Sequence, residues 1–168
     1  MMSVVITAAS SNLSFEELNL DTSFKAFMDY GTITDRNSTQ WEMQQQAHTD
    51  ENGLRKIDDK YCVAMGTYYA DTCGEEFVVE LDTGEEFVVV VSDVKMPIHT
   101  DETNRYTTLK HKKKTVHNDN GQAMVNVVEF IVDADCLPDI VKTSGTISSL
   151  EGFEGNIIRI EKYERSVE

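Results

Sequence analysis

EFVVELDTGEEFVVVV, residues 76–91, is the stretch of sequence that decides the fold. Two short apolar runs flank Asp82-Thr83-Gly84-Glu85, a turn sequence whose glycine can adopt a positive φ angle. Runs of this length, rich in valine and phenylalanine and joined by a tight turn, predict a β-hairpin. The stretch therefore indicates a mainly β protein.

Three further runs extend this pattern. Residues 61–69 predict a buried strand, with Gly66 where a bend or a close backbone approach would fall. Residues 124–132 predict a central strand, and residues 156–163 alternate like a half-buried one. Many short strands, with no strand–helix–strand rhythm, predict a small closed or nearly closed β-barrel of about six strands. Its expected core residues are Val79, Val89, Val128, Phe130 and Ile158.

The chain is expected to divide into two parts. Residues 1–60 are polar and irregular and predict an extension that wraps the barrel, whereas residues 61–168 form the β-barrel domain. Met1–Ser11 contains a short apolar run without the basic start of an export signal, which favours a first strand or a non-native remnant of the expressed sequence. The sequence leaves open whether an export signal has been removed from in front of this segment.

Short helices accompany the strands. Ser14–Glu17 has the spacing of a capping box, and Phe24, Phe27 and Met28 follow helical spacing. A further short helix is expected at residues 135–142.

The charge of the chain limits its partners. Thirty acidic and fifteen basic residues give a net charge of −15, which repels nucleic acid and anionic membranes. No apolar run approaches the ~20 residues that a membrane span needs. Residues 104–124 form a lysine-rich arm, with five cationic residues between Arg105 and Lys114, which favours a solvated hairpin tip over a polyanion site. We therefore expect no nucleic-acid partner and no membrane span.

The usual cofactor and nucleophile motifs do not occur in the sequence. It contains no Gly-rich phosphate loop, no G-x-S-x-G, no H-E-x-x-H and no paired C-x-x-C, so no cofactor or metal is implied. The cysteines, Cys62, Cys73 and Cys136, can form at most one internal disulfide, and a reduced, buried role is expected.

Two carboxylates stand out by their position. Asp93 follows an apolar strand run, and Glu129 lies inside another, where an acid must either face solvent or be half buried beside a partner. Two carboxylates in unlike environments suit the cleavage of a glycosidic bond. Both also have simpler interpretations, Asp93 as a strand-end turn residue and Glu129 as a solvent-facing one.

Neighbouring residues could support this chemistry. Lys95, His99 and Asp101 follow Asp93 within eight residues. An alternative is a divalent-metal site made from His99, Asp101 and Asp93. Tyr68 and Tyr69 could line a sugar-binding groove, or they could be packing residues of a strand.

The order of these segments resembles a known family. Val63–Thr67, Cys73–Val79 with its Asp-Thr-Gly turn, Val90–Asp93 and Asn126–Phe130 followed by a short helix are similar to the elements of double-psi β-barrels. In particular they resemble the three-aspartate, or 3D, domain of bacterial cell-wall lytic enzymes. The chain also looks similar to uncharacterised proteins of Gram-positive bacteria and their phages, through the stretches SFKAFMDY, TDENGLRKI and FIVDADCLP.

The first resemblance implies a site and an activity. Asp93 matches the position of the second family aspartate, and Glu129 matches the third, with glutamate in place of aspartate. It implies a double-psi-like barrel that acts on the glycan of peptidoglycan as a lytic transglycosylase, with Asp93 and Glu129 as the catalytic pair. The alternative is a non-enzymatic module that binds cell-surface glycan or serves as a phage or prophage accessory. The protein would belong in the cell wall if an export signal has been removed, and otherwise in the cytoplasm or a virion.

Overall fold

The computed structural model describes residues 13–164, so the expectation for Met1–Ser11 lies outside the described residues. Its class is mainly β, as the sequence predicts. The strands of this part are β1 (Leu20–Asp21), β2 (Phe27–Asp29), β3 (His48–Thr49), β4 (Arg55–Ile57), β5 (Lys60–Gly66), β6 (Glu76–Leu81), β7 (Glu86–Lys95), β8 (Thr107–Thr108), β9 (Lys110–His111), β10 (Lys114–Thr115), β11 (Ala123–Asn126), β12 (Glu129–Val132) and β13 (Ile157–Lys162). The α-helices of residues 13–164 are α1 (Thr39–Gln46) and α2 (Asp139–Ser144), and single 3-10 turns lie at Tyr30–Thr32, Pro97–His99, Ala134–Cys136 and Ile147–Ser149.

The predicted hairpin is confirmed as β6 and β7, which pair antiparallel with Val79 opposite Phe87. Gly84 takes a φ of 91° in the turn, a left-handed conformation that costs glycine little. On its other side β7 pairs with β5, which is parallel to it. Gly66 ends β5, and a Cβ there would collide with the carbonyl oxygen of Asn104, so the predicted close backbone approach is confirmed.

The strands form two larger sheets and a separate hairpin. The main sheet has the order β13-β6-β7-β5-β12-β2, with β4 also paired to β5 and β3 to β4. The second sheet has the order β1-β11-β8, and β9 pairs with β10. No ladder between residues 13 and 164 joins β13 to β2, so the main sheet stays open. The expectation of a closed barrel of six strands is corrected accordingly.

The run 124–132 is two strands in two sheets and not the predicted single strand. Asn126 ends β11 in the second sheet, whereas Glu129 begins β12 and lies opposite Ala64 of β5 in the main sheet. The Asn126 Oδ1 atom accepts a hydrogen bond from the Ala26 amide at 2.8 Å. This bond holds the chain where it passes from one sheet to the other.

Two apolar clusters lie on opposite faces of the main sheet. The larger one includes Val125 of β11, so both sheets share it. At its centre are four rings whose centroids lie 5.2–6.0 Å apart, those of Tyr61, Phe87, Phe130 and Phe153. The smaller cluster joins Met43 of α1 to the other face of the sheet through Cys62, Ala64, Val90 and Ile131.

Four of the five predicted core residues are confirmed as fully buried: Val79, Val89, Val128 and Phe130. The fifth prediction is wrong, because Ile158 is 54% exposed. The register of β13 shifts between Ile157 and Arg159, and this irregularity turns Ile157 inward while Ile158 faces out.

Residues 13–60 contribute strands to both sheets. β1 pairs in parallel with β11, and β2 pairs in parallel with β12. The predicted helical arrangement of Phe24, Phe27 and Met28 is wrong, because Phe27 and Met28 lie in β2 and pair with β12, and Phe24 lies in no helix. Ser14 and Glu17 do exchange both hydrogen bonds of a capping box, at 3.0 and 2.7 Å, but they close a turn and not a helix.

The tip of the lysine-rich arm is the hairpin of β9 and β10. All of its strand residues are exposed, as predicted for a solvated tip. α2 begins after Pro138, later than predicted, and ends at Gly145 with a φ of 75°. In residues 13–164 no helix combines the length and the apolar character that a bilayer crossing requires.

Candidate functional site

A β-bulge in β7 determines which way Asp93 points. Ala64 of β5 is opposite Asp93, and the residue before it, Ser92, has no partner across this ladder. A bulge interrupts the alternation of side chains between the two faces of a sheet. Ser92 lies beside the Cys62 thiol, and Asp93 accepts a hydrogen bond from Gln40 of α1. Both side chains therefore lie on the face that α1 covers.

Asp93 and Glu129 lie on either side of Ala64. Ala64 is opposite Asp93 in β7 and opposite Glu129 in β12. Because neighbouring strands are about 4.8 Å apart, the backbones of the two acidic residues are about 10 Å apart. Both side chains line one cleft, which has a volume of about 580 Å³.

The two carboxylates have different partners. The Asp93 Oδ1 atom accepts hydrogen bonds from Gln40 Nε2 at 3.3 Å and from the Val94 amide at 3.0 Å. Its Oδ2 atom accepts none from the part of the chain that the structure describes. Glu129 Oε2 accepts from Lys95 Nζ at 3.2 Å, and these side chains are 24% and 13% exposed. The cleft thus holds one carboxylate with a free oxygen and one that is paired with an ammonium group.

The rest of the cleft is mixed in character. His99 and Thr107 line it beside Lys95, and the exposed side chain of Met96 adds an apolar edge. Carboxylate, amide, imidazole and hydroxyl groups next to an apolar surface are suited to a ligand with many hydroxyl groups. Of the predicted supporting residues, Lys95 and His99 line this cleft.

Asp101 does not line this cleft. Its carboxylate accepts hydrogen bonds from the backbone amides of Thr103, Arg105 and Tyr106 at 2.8–3.0 Å. Burial alone would raise the pKa of Asp101, but these bonds and one from the Thr103 hydroxyl lower it. Asp101 therefore shapes its own loop, away from Asp93 and Glu129.

Tyr68 and Tyr69 also lie away from the cleft. Their rings pack edge to face, with centroids 5.0 Å apart, beside Arg105 and β13. Between residues 13 and 164 no three histidine, cysteine, aspartate or glutamate side chains converge as metal ligands do. The described geometry gives no support to the alternative of a metal site built from Asp93, His99 and Asp101.

Gln40 is a cleft residue that the sequence did not indicate. It lies in the first turn of α1, which Ser38 caps by accepting a hydrogen bond from the Trp41 amide at 3.1 Å. The capping serine before a glutamine-rich stretch is a signal for this helix start. Nothing in the sequence indicates that the start lies beside Asp93.

None of the three cysteines is among the residues that line the cleft. All three cysteines are free, with Cys62 buried and Cys136 exposed, so the predicted buried role holds for Cys62. Burial raises the pKa of Cys62 to about 11, although Ser92, Gln44 and the charge of Arg55 lower it. Burial and the nearby charge of Asp93 also raise the pKa of Cys73. These groups are therefore protonated at neutral pH.

Comparison of the chain with protein-family models, with curated proteins and with solved structures gives no match. The resemblance to 3D domains therefore rests on the short motifs of the sequence. The geometry around Asp93 and Glu129 is the independent observation that bears on function.

Proposed function

We propose that the protein acts on the glycan strand of peptidoglycan as a relative of the double-psi β-barrel lytic transglycosylases. One observation carries the proposal: Asp93 and Glu129 flank Ala64 and line one open cleft. The parallel pairs β5–β7, β2–β12 and β1–β11 within two sheets that share a core are compatible with a barrel of this type that has opened. Paired carboxylates about 5–10 Å apart are the usual means of cleaving glycosidic bonds.

Asp93 is the proposed acid and base. A general acid protonates the glycosidic oxygen as the bond to the anomeric carbon breaks. In a transglycosylase the same group then removes the proton of the sugar's own C6 hydroxyl while that oxygen attacks the anomeric carbon, which forms a 1,6-anhydro ring. The Asp93 Oδ1 atom is held by Gln40 and Val94, and Oδ2, which accepts no hydrogen bond from residues 13–164, would carry both transfers.

Glu129 is the proposed stabilising anion. The positive charge that develops on the sugar ring is favoured by a nearby carboxylate. Lys95, at 3.2 Å from Glu129 Oε2, fixes the orientation of this carboxylate and offsets part of its charge. Asp93 and Glu129 therefore have separate roles.

The Asp93→Asn variant tests this proposal. Because the amide cannot exchange a proton in the required way, release of anhydro-muropeptides from purified peptidoglycan should fall about 100-fold or more, as measured by mass spectrometry. Asp119→Asn, in an exposed turn, is the matched control and should release as much as the wild type. Wild-type protein that releases no anhydro-muropeptides would contradict the transglycosylase assignment.

Glu129→Gln should have a smaller effect. The amide keeps the shape of the side chain but loses the charge that faces the sugar, so we expect a decrease of about tenfold, or ~1.4 kcal/mol in the activation barrier. Glu85→Gln, in the exposed hairpin turn, is its control. Release that is unchanged in Glu129→Gln, with Asp93→Asn inactive, would remove Glu129 from the catalytic pair.

A glycan-binding module without catalysis, at a cell surface or as a phage accessory, is the second candidate. The pairing of Lys95 with Glu129 favours it, because a carboxylate neutralised in this way is a recognition group as readily as a catalytic one. Sedimentation with insoluble peptidoglycan separates the candidates. A pure binder sediments with the glycan in wild-type form and releases nothing from it.

A further inference from the structure

Arg105 is a buried arginine with no carboxylate bound to its guanidinium in residues 13–164. The residue is 7% exposed, and its Nη1 atom donates to the Leu13 carbonyl at 2.7 Å. The Nε atom is buried, and no atom of the described chain accepts a hydrogen bond from it. Asp101 accepts from the backbone amide of Arg105 and not from its side chain. A buried cation without a paired anion is costly, so this arrangement calls for a compensating group.

The guanidinium lines a small pocket of about 120 Å³. The Arg105 Cζ atom lies 4.4 Å from the ring centroid of Phe15 and 5.0 Å from that of Tyr68. These two contacts hold the planar group in place, and Ile158 and Ile160 of β13 line the pocket as well. The pocket shares no lining residue with the cleft of Asp93 and Glu129.

Tyr69 supplies a second donor. Burial raises the pKa of its hydroxyl to about 12, although the charge of Arg105 and a side-chain hydrogen bond with Arg105 lower this pKa. The hydroxyl therefore keeps its proton at neutral pH and can donate a hydrogen bond beside the guanidinium. A neutral donor next to a fixed cation favours an anionic ligand.

We propose that this pocket binds the carboxylate of a small ligand, either a peptide C-terminus or a small organic acid, through Arg105 and Tyr69. A planar carboxylate matches the fork of N–H donors on an arginine. Ile158 and Ile160 line the same pocket and can contact the apolar atoms next to the carboxylate. The proposal is independent of the glycan activity.

A single negative charge fits the pocket better than a phosphate group. Arg159 also lines the pocket, but its guanidinium is paired with Glu80 at 2.6 Å and with Glu161 at 3.0 Å. Arg105 is thus the cation that, among the described lining residues, has no paired anion. One available positive charge matches one carboxylate.

Nuclear magnetic resonance of the full chain tests the proposal directly. The Nε–H resonance of Arg105 should shift and saturate with acetate, and acetamide, which has the same shape but no charge, should leave it unchanged. Alanyl-alanine and its C-terminal amide repeat the comparison for a peptide. Tighter binding of alanyl-alanine than of acetate identifies a peptide C-terminus as the source, and equal binding identifies a small acid. No saturating shift, or an equal shift with chloride at the same ionic strength, would overturn the proposal.

Two variants locate the donors. Arg105→Lys keeps the charge but loses the planar set of N–H donors. Acetate binding, followed in this variant through the backbone amide resonance of residue 105, should weaken at least tenfold, whereas Arg36→Lys at an exposed position should not change it. Tyr69→Phe should weaken binding severalfold. If Arg105→Lys does not fold, the wild-type titration and Tyr69→Phe decide the question. Acetate affinity that is unchanged in both variants would contradict the assignment.

Discussion

Replacement of Phe130 by alanine should lower the free energy of unfolding by about 3–5 kcal/mol. Phe130 is fully buried, and its ring contacts those of Tyr61, Phe87 and Phe153 at centroid distances of 5.5–5.9 Å. The backbone of Phe130 also lies in β12, between β5 and β2. Truncation therefore leaves a cavity in the middle of the main sheet, where its neighbours cannot easily collapse.

Urea unfolding followed by circular dichroism measures the decrease in the free energy of unfolding. Ile158→Ala is the control, since this side chain faces out from β13 and its removal should cost less than about 1 kcal/mol. Equal midpoints for Phe130→Ala and Ile158→Ala would mean that the aromatic group is not the centre of the core.

Lys25 should make the stability of the protein depend on pH in the alkaline range. Its side chain is fully buried, and the Nζ atom donates to the carbonyls of Ser23 at 3.0 Å and Gly155 at 2.7 Å. Burial lowers the pKa of Lys25 from 10.5 to about 8, although Asp82, Asp21 and Glu154 raise it. Between pH 8 and 10.5 the unfolded chain binds a proton that the folded chain has lost. The contribution of Lys25 to stability therefore increases with pH, by about 3 kcal/mol in total.

The Lys25→Met variant isolates this effect. Cys62 and Tyr69 have raised pKa values and oppose the trend, but they are present in both proteins. The wild type should thus gain about 3 kcal/mol relative to Lys25→Met between pH 8 and 10.5, as measured by urea unfolding. Lys110→Met, at an exposed strand position, should leave the pH dependence unchanged. Parallel curves for wild type and Lys25→Met would show that the ammonium is not desolvated.

Local patterns predicted the parts of the fold that depend on local interactions. The hairpin of β6 and β7 follows from two apolar runs and a glycine that accepts a positive φ. The division of residues 124–132 between two sheets could not be predicted, because β11 and β12 take their strand partners from distant parts of the chain. The alternating sequence predicts Ile158 on the buried face, but the register shift in β13, which has no signature in such a sequence, places it outside.

The candidate site was predictable only where it depends on local sequence. Asp93 and Glu129 are acids within or just after apolar runs, and such positions stand out in a sequence. Their common neighbour Ala64 comes from the pairing of β5 with both β7 and β12, which no local pattern contains. Asp101 is close to His99 in the chain, but its turn directs the carboxylate to its own backbone.

The parallel pairing of β1 with β11 and of β2 with β12 has a consequence for synthesis on the ribosome. These partners are about one hundred residues apart, and Thr22 bonds Asn156, 134 residues further on. At translation rates of about 5–20 residues per second, the first strands wait on the order of ten seconds before their partners emerge. During that time the growing chain exposes Phe27 and Met28 without the strand that later pairs with them. The N-terminal strands therefore stay without their sheet partners for most of the time that synthesis takes.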